Sequence, residues 1–146
     1  MYPFHPQTVH LPIGLLLGNA LLTILYLRRG DQAFEVSAWH CLWLGWLGAL
    51  LAIAMGTLDA ARQLFDATHP RGDALGWINA HAIVGIAILL VYWQAWQIRR
   101  RNPRVLNDVR ARRGYLARLA LGVALLLLDG WLGGHLVYTL RLGISS

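Results

Sequence analysis

The sequence has no lysine, one cysteine and few charged residues, and it lacks several motifs that mark disulfide-rich proteins, covalent haem proteins and enzymes. All 13 basic residues are arginine, although the formal net charge is +6. The single cysteine, Cys41, has no mate and indicates no disulfide framework, and no Cys-x-x-Cys-His motif for covalent haem attachment occurs. The chain also lacks a nucleotide-binding fingerprint and a nucleophile with a base beside it. We therefore do not expect catalysis by this chain alone.

Long apolar runs dominate the sequence instead. The chain is 57% apolar and 14% charged, with a mean hydropathy of +0.47, which is typical of membrane proteins. Four apolar windows, at 10–27, 36–58, 74–98 and 119–140, contain one formally charged residue, Asp129. Each window can cross roughly 30 Å of hydrocarbon. This predicts an all-α, integral membrane antiparallel four-helix bundle, a single domain over residues 1–146 whose first segment stays uncleaved.

The arginines predict the topology. Two follow the first window, Arg28 and Arg29, and seven of the 13 fall between positions 99 and 113, after the third window. Short basic loops stay on the cytoplasmic side of a membrane, so both termini and the 59–75 loop are expected outside. The positive charge is then explained by membrane topology, and no nucleic-acid partner is expected. An anionic-lipid or partner patch is the alternative interpretation of the basic loop.

Capping residues predict where the helices begin and end. Pro12 fits the first turn of a helix that begins near residue 9 or 10. Gly30 is expected to end the first helix, Ser37 to cap the second and Asp73 to cap the third. The recurrence of small residues from Gly48 through positions 52 and 56 predicts a seam for close helix packing.

Three of the six histidines, His10, His81 and His135, fall in three different windows at a similar depth. Counting 1.5 Å per residue from the window midpoints places them about 9–12 Å outside the bilayer centre. Polar side chains within a membrane usually face the bundle interior, where they serve a pathway or a ligand. We therefore expect these imidazoles to meet around one ligand.

A b-type haem is the first candidate for that ligand. His10 and His81 would be the axial ligands, with His135 as the alternate, because two imidazoles from different helices can bind one haem iron. Gly14, Gly18 and Gly85 lie one or two turns further in and predict a smooth face for the porphyrin. The residues expected to bind the haem propionates are Arg62, Arg71, Arg141 and Tyr138.

Two alternatives stay open. The same three histidines, with Asp59, could bind a transition-metal ion in a metal-binding protein or transporter, since imidazole suits zinc, copper, iron and nickel. The histidines could also bridge helices by hydrogen bonds alone in a structural or assembly subunit without a cofactor. Asp129, near the middle of the fourth window, would cost roughly 3 kcal/mol as an isolated charge. It is expected to be protonated or hydrogen-bonded within the bundle, on a different face from His135.

Four motifs resemble a known family, the domain of unknown function 2231 of small bacterial membrane proteins. In chain order they are His5-Pro-x-x-x-His10-x-Pro-Ile-Gly, Gly56-Thr-Leu-Asp59, the early His81 of the third helix, and Gly130-Trp-Leu-Gly-Gly-x-Leu-Val-Tyr138. The resemblance covers nearly the whole chain in the right order.

The resemblance implies electron transfer, because members of this family look similar to four-helix membrane cytochromes b and some are joined to c-type cytochrome or Rieske-type domains. The resemblance to bacterial membrane proteins implies a bacterial inner membrane, and the arginine distribution then predicts that both termini are periplasmic. The expected partners are the lipid bilayer and a periplasmic c-type cytochrome, a Rieske-type protein or a larger redox complex. The family's two usual histidines correspond to His10 and His81, with His5 a weaker match. The chain departs from the pattern at His135, where an acid is expected, and at Leu140-Arg141, where a His-Gly pair is common.

Overall fold

The computed structural model describes residues 8–65 and 74–140, with side chains described except at positions 62–65. These residues form α1, His10–Arg29; α2, Gln32–Phe65; α3, Leu75–Arg101; and α4, Val109–Gly134, which continues into a π-helical turn, His135–Thr139. All four helices are long and apolar enough to cross a membrane, and the described residues include no strand. The predicted all-α, four-helix membrane architecture is confirmed.

The turn between α1 and α2 is tight because of a glycine followed by an aspartate. Gly30 adopts a left-handed conformation, with φ of 72°, and its N–H donates to the Tyr26 carbonyl at 2.8 Å, as predicted for the end of the first helix. Asp31 Oδ1 then accepts the Ala33 N–H at 2.9 Å, so α2 begins at Gln32. The predicted cap at Ser37 is wrong, since Ser37 lies inside α2. The predicted cap at Asp73 lies outside the described residues.

The fourth helix begins earlier than the apolar window predicted. Asp108 Oδ1 accepts the N–H groups of Arg110 at 2.8 Å and Ala111 at 3.2 Å, and these bonds start α4 at Val109. The basic segment after Asp108 is therefore helical, where the sequence analysis placed a loop. In the connection between α3 and α4, Val105 and Leu106 are 0% and 2% exposed. These two side chains close the arginine-rich end of the bundle.

The helices form a ring in chain order. α1 packs along α2, α2 packs on α3, α3 packs along α4, and α1 also contacts α4. The arginine-rich end contains the C-termini of α1 and α3 and the N-termini of α2 and α4; the histidine end is the opposite one. His10, His81 and His135 all lie towards the histidine end.

The distribution of polar and apolar side chains is that of a bundle in lipid. Large apolar residues face outward, among them Leu11, Ile83 and Leu127, which are 70%, 67% and 66% exposed. The interior in turn contains polar side chains, among them Asn19, Thr23 and Arg99. In lipid the outer surface need not be polar, and a polar side chain is better solvated by other residues inside the bundle.

Glycines set the closest helix contacts. A Cβ atom at Gly45 would lie 2.8 Å from the Leu16 side chain, and one at Gly48 would lie 3.2 Å from Pro12 Cβ, so α1 and α2 nearly touch there. The predicted small-residue seam therefore packs against α1 at Gly48, and it extends to Gly45. Between α3 and α4 the Tyr92 ring packs against Gly122, where a Cβ would be 2.6 Å from ring carbons.

We expect Gly122→Ala to destabilise the bundle by about 1–3 kcal/mol, because the added methyl group would overlap the buried Tyr92 ring and force α3 and α4 apart. The free energy of unfolding in detergent measures this effect. Gly130→Ala is the matched control on the same helix, because no atom lies within 4 Å of a Cβ there. Equal stabilities for the two variants would contradict this packing.

Candidate functional site

A histidine and an aspartate meet between α3 and α4 in the half of the bundle towards the histidine end. His81 Nδ1 lies 2.8 Å from Asp129 Oδ1, and the two side chains are 23% and 20% exposed. The His81 ring rests against α4, since a Cβ at Gly133 would lie 3.4 Å from His81 Cε1. The pair therefore joins two membrane-spanning helices by a contact between ionisable groups.

The antiparallel arrangement of α3 and α4 brings these two residues to the same level. His81 and Asp129 are equidistant in sequence from Val105, which lies in the connection between the two helices. Because α4 begins at Val109, Asp129 lies about 8 Å from the midpoint of its span towards the histidine end, at 1.5 Å per residue. The prediction that Asp129 lies at the middle of the fourth helix is wrong, whereas the expectation that it interacts within the bundle is confirmed.

Asp129 also borders a cleft between all four helices. The cleft is lined on α1 by Pro12, on α2 by Ala52, on α3 by Gly85 and on α4 by Leu126 and Asp129, and its volume is about 50 Å³. Asp129 is the one charged residue among the residues that line it. A space of this size accepts a few water molecules or an ion.

The other two predicted histidine ligands face elsewhere. His10 and Gly14 are exposed on the outer surface of α1, and no atom lies within 4 Å of a Cβ at Gly14. A Cβ at Gly18 would lie 3.9 Å from Cys41 Sγ, so this end of the predicted glycine stripe faces α2. The stripe that was expected to form a haem groove does not face His81.

His135 belongs to an aromatic group on the surface of α3 and α4. Its ring centroid is 4.4 Å from that of Trp77 and 5.9 Å from that of Trp131, nearly parallel to the latter. Trp131 is 60% exposed and Tyr138 is 83% exposed. Aromatic side chains of this kind are enriched where a membrane meets water.

Of the remaining predicted site residues that are described, Gly85 lies nearest the pair, one helical turn from His81. Gly85 lines the cleft, and a Cβ there would lie 3.7 Å from Ile53 of α2. Asp59 is half-buried near the histidine end of α2. The predictions for the side chain of Arg62 and for Arg71 and Arg141, together with those for His5 and His69, fall outside the described residues or side chains.

The described residues do not fit a haem held between His10 and His81. His10 is exposed on α1, and the cleft beside Asp129 is far smaller than the roughly 300–1,000 Å³ of a pocket for a ligand of such size. Within residues 8–65 and 74–140, no three His, Cys, Asp or Glu side chains are close enough to share a metal ion. The donor set brought together here is one imidazole and one carboxylate.

A second group of polar residues, absent from the sequence-based candidates, lies towards the arginine-rich end. Arg99 Nη2 donates to Glu35 Oε1 at 2.6 Å, and the two side chains are 7% and 15% exposed. The Arg99 guanidinium carbon lies 5.9 Å from the centre of the Tyr115 ring. The arginine is therefore paired with a carboxylate and lies close enough to an aromatic ring for a cation–π interaction, which offsets its burial.

Tyr115 belongs to a group of four buried polar side chains that we call the polar cluster: Asn19, Thr23, Tyr92 and Tyr115. All four are at most 1% exposed. The Tyr115 side chain lies beside those of Asn19 and Thr23, and close enough to Tyr92 for an electrostatic interaction. Leaving a buried polar atom without a hydrogen bond costs about 1–3 kcal/mol, so the burial of four such side chains together requires an explanation.

An apolar layer separates the His81–Asp129 pair from the polar cluster. It consists of Leu16, Ile88 and Leu126, which are 0%, 4% and 7% exposed and also line the cleft. Ile88 lies one turn from Tyr92, on the side of the histidine end. The bundle interior therefore contains two polar regions with a thin apolar region between them.

The comparisons with known proteins support the membrane assignment. A family model described as a predicted membrane protein, DUF2231, matches residues 1–146. No curated protein and no solved structure matches the chain. The family named by the sequence motifs is confirmed, whereas the implied similarity to membrane cytochromes b stays a prediction.

We expect Arg99→Met to destabilise the protein by about 3–5 kcal/mol, because it leaves the Glu35 carboxylate buried without its partner. The double variant Arg99→Met with Glu35→Leu should lose less than the single one, since both charges are then removed. Unfolding in detergent measures both. The neighbouring exposed Arg100, changed to Met, is the control and should leave stability nearly unchanged; similar losses at both arginines would contradict the buried pair.

Proposed function

The chain belongs to the DUF2231 family of predicted membrane proteins, and we propose that it accepts and passes on protons at the His81–Asp129 pair within the membrane. The observation that supports this proposal is the 2.8 Å contact between the two ionisable side chains beside the cleft. Ionisable side chains within membrane spans are costly, and they commonly belong to ion pathways or proton relays.

The chemistry of the pair suits a proton better than a larger ligand. An imidazole accepts a proton at one nitrogen while its other nitrogen contacts the carboxylate, and histidine is the side chain whose charge changes most readily near neutral pH. Asp129 borders a cleft of about 50 Å³, which has room for the water molecules that bring or remove a proton. A porphyrin or another large cofactor would not fit in that cleft.

We place the protein in a bacterial inner membrane, with the histidine end and both termini on the periplasmic side. The concentration of arginines at the opposite end supports this orientation, by the positive-inside rule. In that orientation the cleft and the pair lie in the periplasmic half of the bilayer, where they would exchange protons with the periplasm.

Proton flux in vesicles tests the proposal. Purified protein is reconstituted into liposomes that contain a pH-sensitive dye, and a potassium gradient with valinomycin imposes a membrane potential. We expect the internal pH to change faster than in protein-free liposomes. Asp129→Asn and His81→Ala should return the rate to the protein-free level, because each removes one proton-accepting group.

His40→Ala is the matched control, because His40 is an exposed histidine near the arginine-rich end whose Nδ1 lies 2.8 Å from the Val36 carbonyl of its own helix. Its flux should equal that of the unaltered protein. Equal flux in Asp129→Asn and in the unaltered protein would overturn the proposal and leave the pair with the role of a helix bridge. That result would favour a structural or assembly subunit.

A b-type haem protein that transfers electrons is the second candidate, and one observation favours it. Histidines that bind metals commonly hold a carboxylate at their other ring nitrogen, as His81 holds Asp129. His81 would then be the ligand that this chain supplies, with a periplasmic c-type cytochrome or Rieske-type protein as redox partner. A haem would supply one-electron transfer, and Asp129 would orient the His81 ring.

Visible absorption separates the two candidates. If the haem candidate is correct, protein purified from haem-supplied cells should show a Soret band that His81→Ala abolishes and His40→Ala preserves. The band should persist in His10→Ala, because His10 is exposed on α1. A colourless protein with stoichiometric zinc or copper would favour the metal-ion alternative, and a colourless protein without metal would end both.

A further inference from the structure

Three buried polar atoms near the Tyr115 side chain make no hydrogen bond of acceptable geometry among the described residues. They are Asn19 Oδ1, Thr23 Oγ1 and the Tyr92 hydroxyl. Two of these atoms come from α1 and one from α3, while Tyr115 belongs to α4. Their side chains are 0%, 1% and 0% exposed, so bulk solvent does not reach them.

A hydrogen bond from the side-chain amide nitrogen of Asn19 sets the orientation of its amide group. Asn19 Nδ2 donates to the Ala38 carbonyl of α2 at 2.8 Å. A carbonyl accepts but cannot donate, so it must face the amide nitrogen, and the amide oxygen is left directed into the polar cluster. The amide oxygen is therefore an acceptor that needs a donor from within the bundle.

Direct contacts within the polar cluster do not form complete hydrogen bonds. The side chains of Asn19 and Thr23 adjoin that of Tyr115, yet Asn19 Oδ1 and Thr23 Oγ1 make no hydrogen bond of acceptable geometry. The Tyr92 hydroxyl cannot shift freely towards them, because its ring is packed closely against Gly122. A small molecule that both donates and accepts would satisfy all of these atoms at once.

We propose that the polar cluster binds ordered water inside the membrane-spanning bundle. Buried water in proteins typically makes about three hydrogen bonds to polar groups that otherwise lack partners. The three unpartnered atoms and the Tyr115 hydroxyl, presented by three different helices, form such a set. The Glu35–Arg99 ion pair lies next to Tyr115 on the side of the arginine-rich end.

The water site also continues the proton route beyond the His81–Asp129 pair, a step that rests on the proposed function. Water at the polar cluster would link the centre of the bundle to Glu35, a carboxylate that is able to accept a proton. The apolar layer of Leu16, Ile88 and Leu126 lies between the two polar regions and limits passage between them.

X-ray footprinting tests the water site without reference to transport. Short X-ray pulses turn bound water into hydroxyl radicals, which modify adjacent side chains, and mass spectrometry counts the modifications. We expect Tyr92 and Tyr115 to be modified in detergent-solubilised protein despite their burial. Leu42 and Leu106, which are 0% and 2% exposed and are not among the residues that line the cleft, should stay unmodified.

Variants sharpen this experiment. Thr23→Val should lower the modification of Tyr115 several-fold, because it replaces a hydroxyl that holds the water by a methyl group, whereas Thr23→Ser should preserve it. Thr57→Val is the matched control, since the Thr57 hydroxyl bonds to the Ile53 carbonyl of its own helix at 2.9 Å. Unmodified Tyr92 and Tyr115, or labelling that Thr23→Val leaves unchanged, would overturn the water site.

The vesicle assay then tests the route separately. If the water passes protons, Thr23→Val and Tyr92→Phe should reduce the flux while Thr57→Val does not. Flux that disappears in Asp129→Asn but persists in Thr23→Val would overturn the extended route and leave the proposed function standing. Footprints at Tyr115 in a protein without proton flux would support the water site and overturn its part in the route.

Discussion

Polar side chains inside a membrane-spanning bundle can be solvated only by one another or by trapped water, and this constraint shapes the interior of the protein. Lipid offers no hydrogen bonds, so an ionisable or hydroxyl group on any of the four helices must find a partner in the backbone of its own helix, as Thr57 does, or across a helix contact. His81 meets Asp129, and Arg99 meets Glu35. Each contact ties α3 to another helix, so the same interactions that remove the electrostatic cost also hold the bundle together.

Close packing makes these contacts possible. Tyr92 reaches the bundle interior only because Gly122 lets its ring lie on the α4 backbone, and this places α3 and α4 near enough for His81 and Asp129 to meet. The resulting interior has two polar regions and an intervening apolar layer. An arrangement of this kind suits a protein that handles protons, because the apolar layer limits the rate at which protons pass between the two polar regions.

The sequence predicted the fold well and the site only in part. Length, hydropathy and the arginine clusters indicated four spans, and Gly30 was recognised as the end of the first helix because only a residue tolerant of a left-handed conformation ends a helix in this way. The start of α4 was missed because its first two turns are rich in arginine and resemble a loop. That error moved Asp129 to the middle of its helix and concealed its closeness to His81. Pairing the residues of α3 and α4 that are equally far from Val105 in the sequence would have revealed this closeness.

The sequence by itself determined the number of membrane spans, the two chemically different ends of the bundle and the end towards which His10, His81 and His135 lie, because these depend on residue order and composition. Only the tertiary structure decided which side chains face each other. His10 and His81 lie at the same end, yet His10 is exposed, while His81 contacts Asp129. The rotation of each helix about its own axis depends on how glycines and large side chains interlock with the neighbouring helices, and that packing involves residues far apart in the chain.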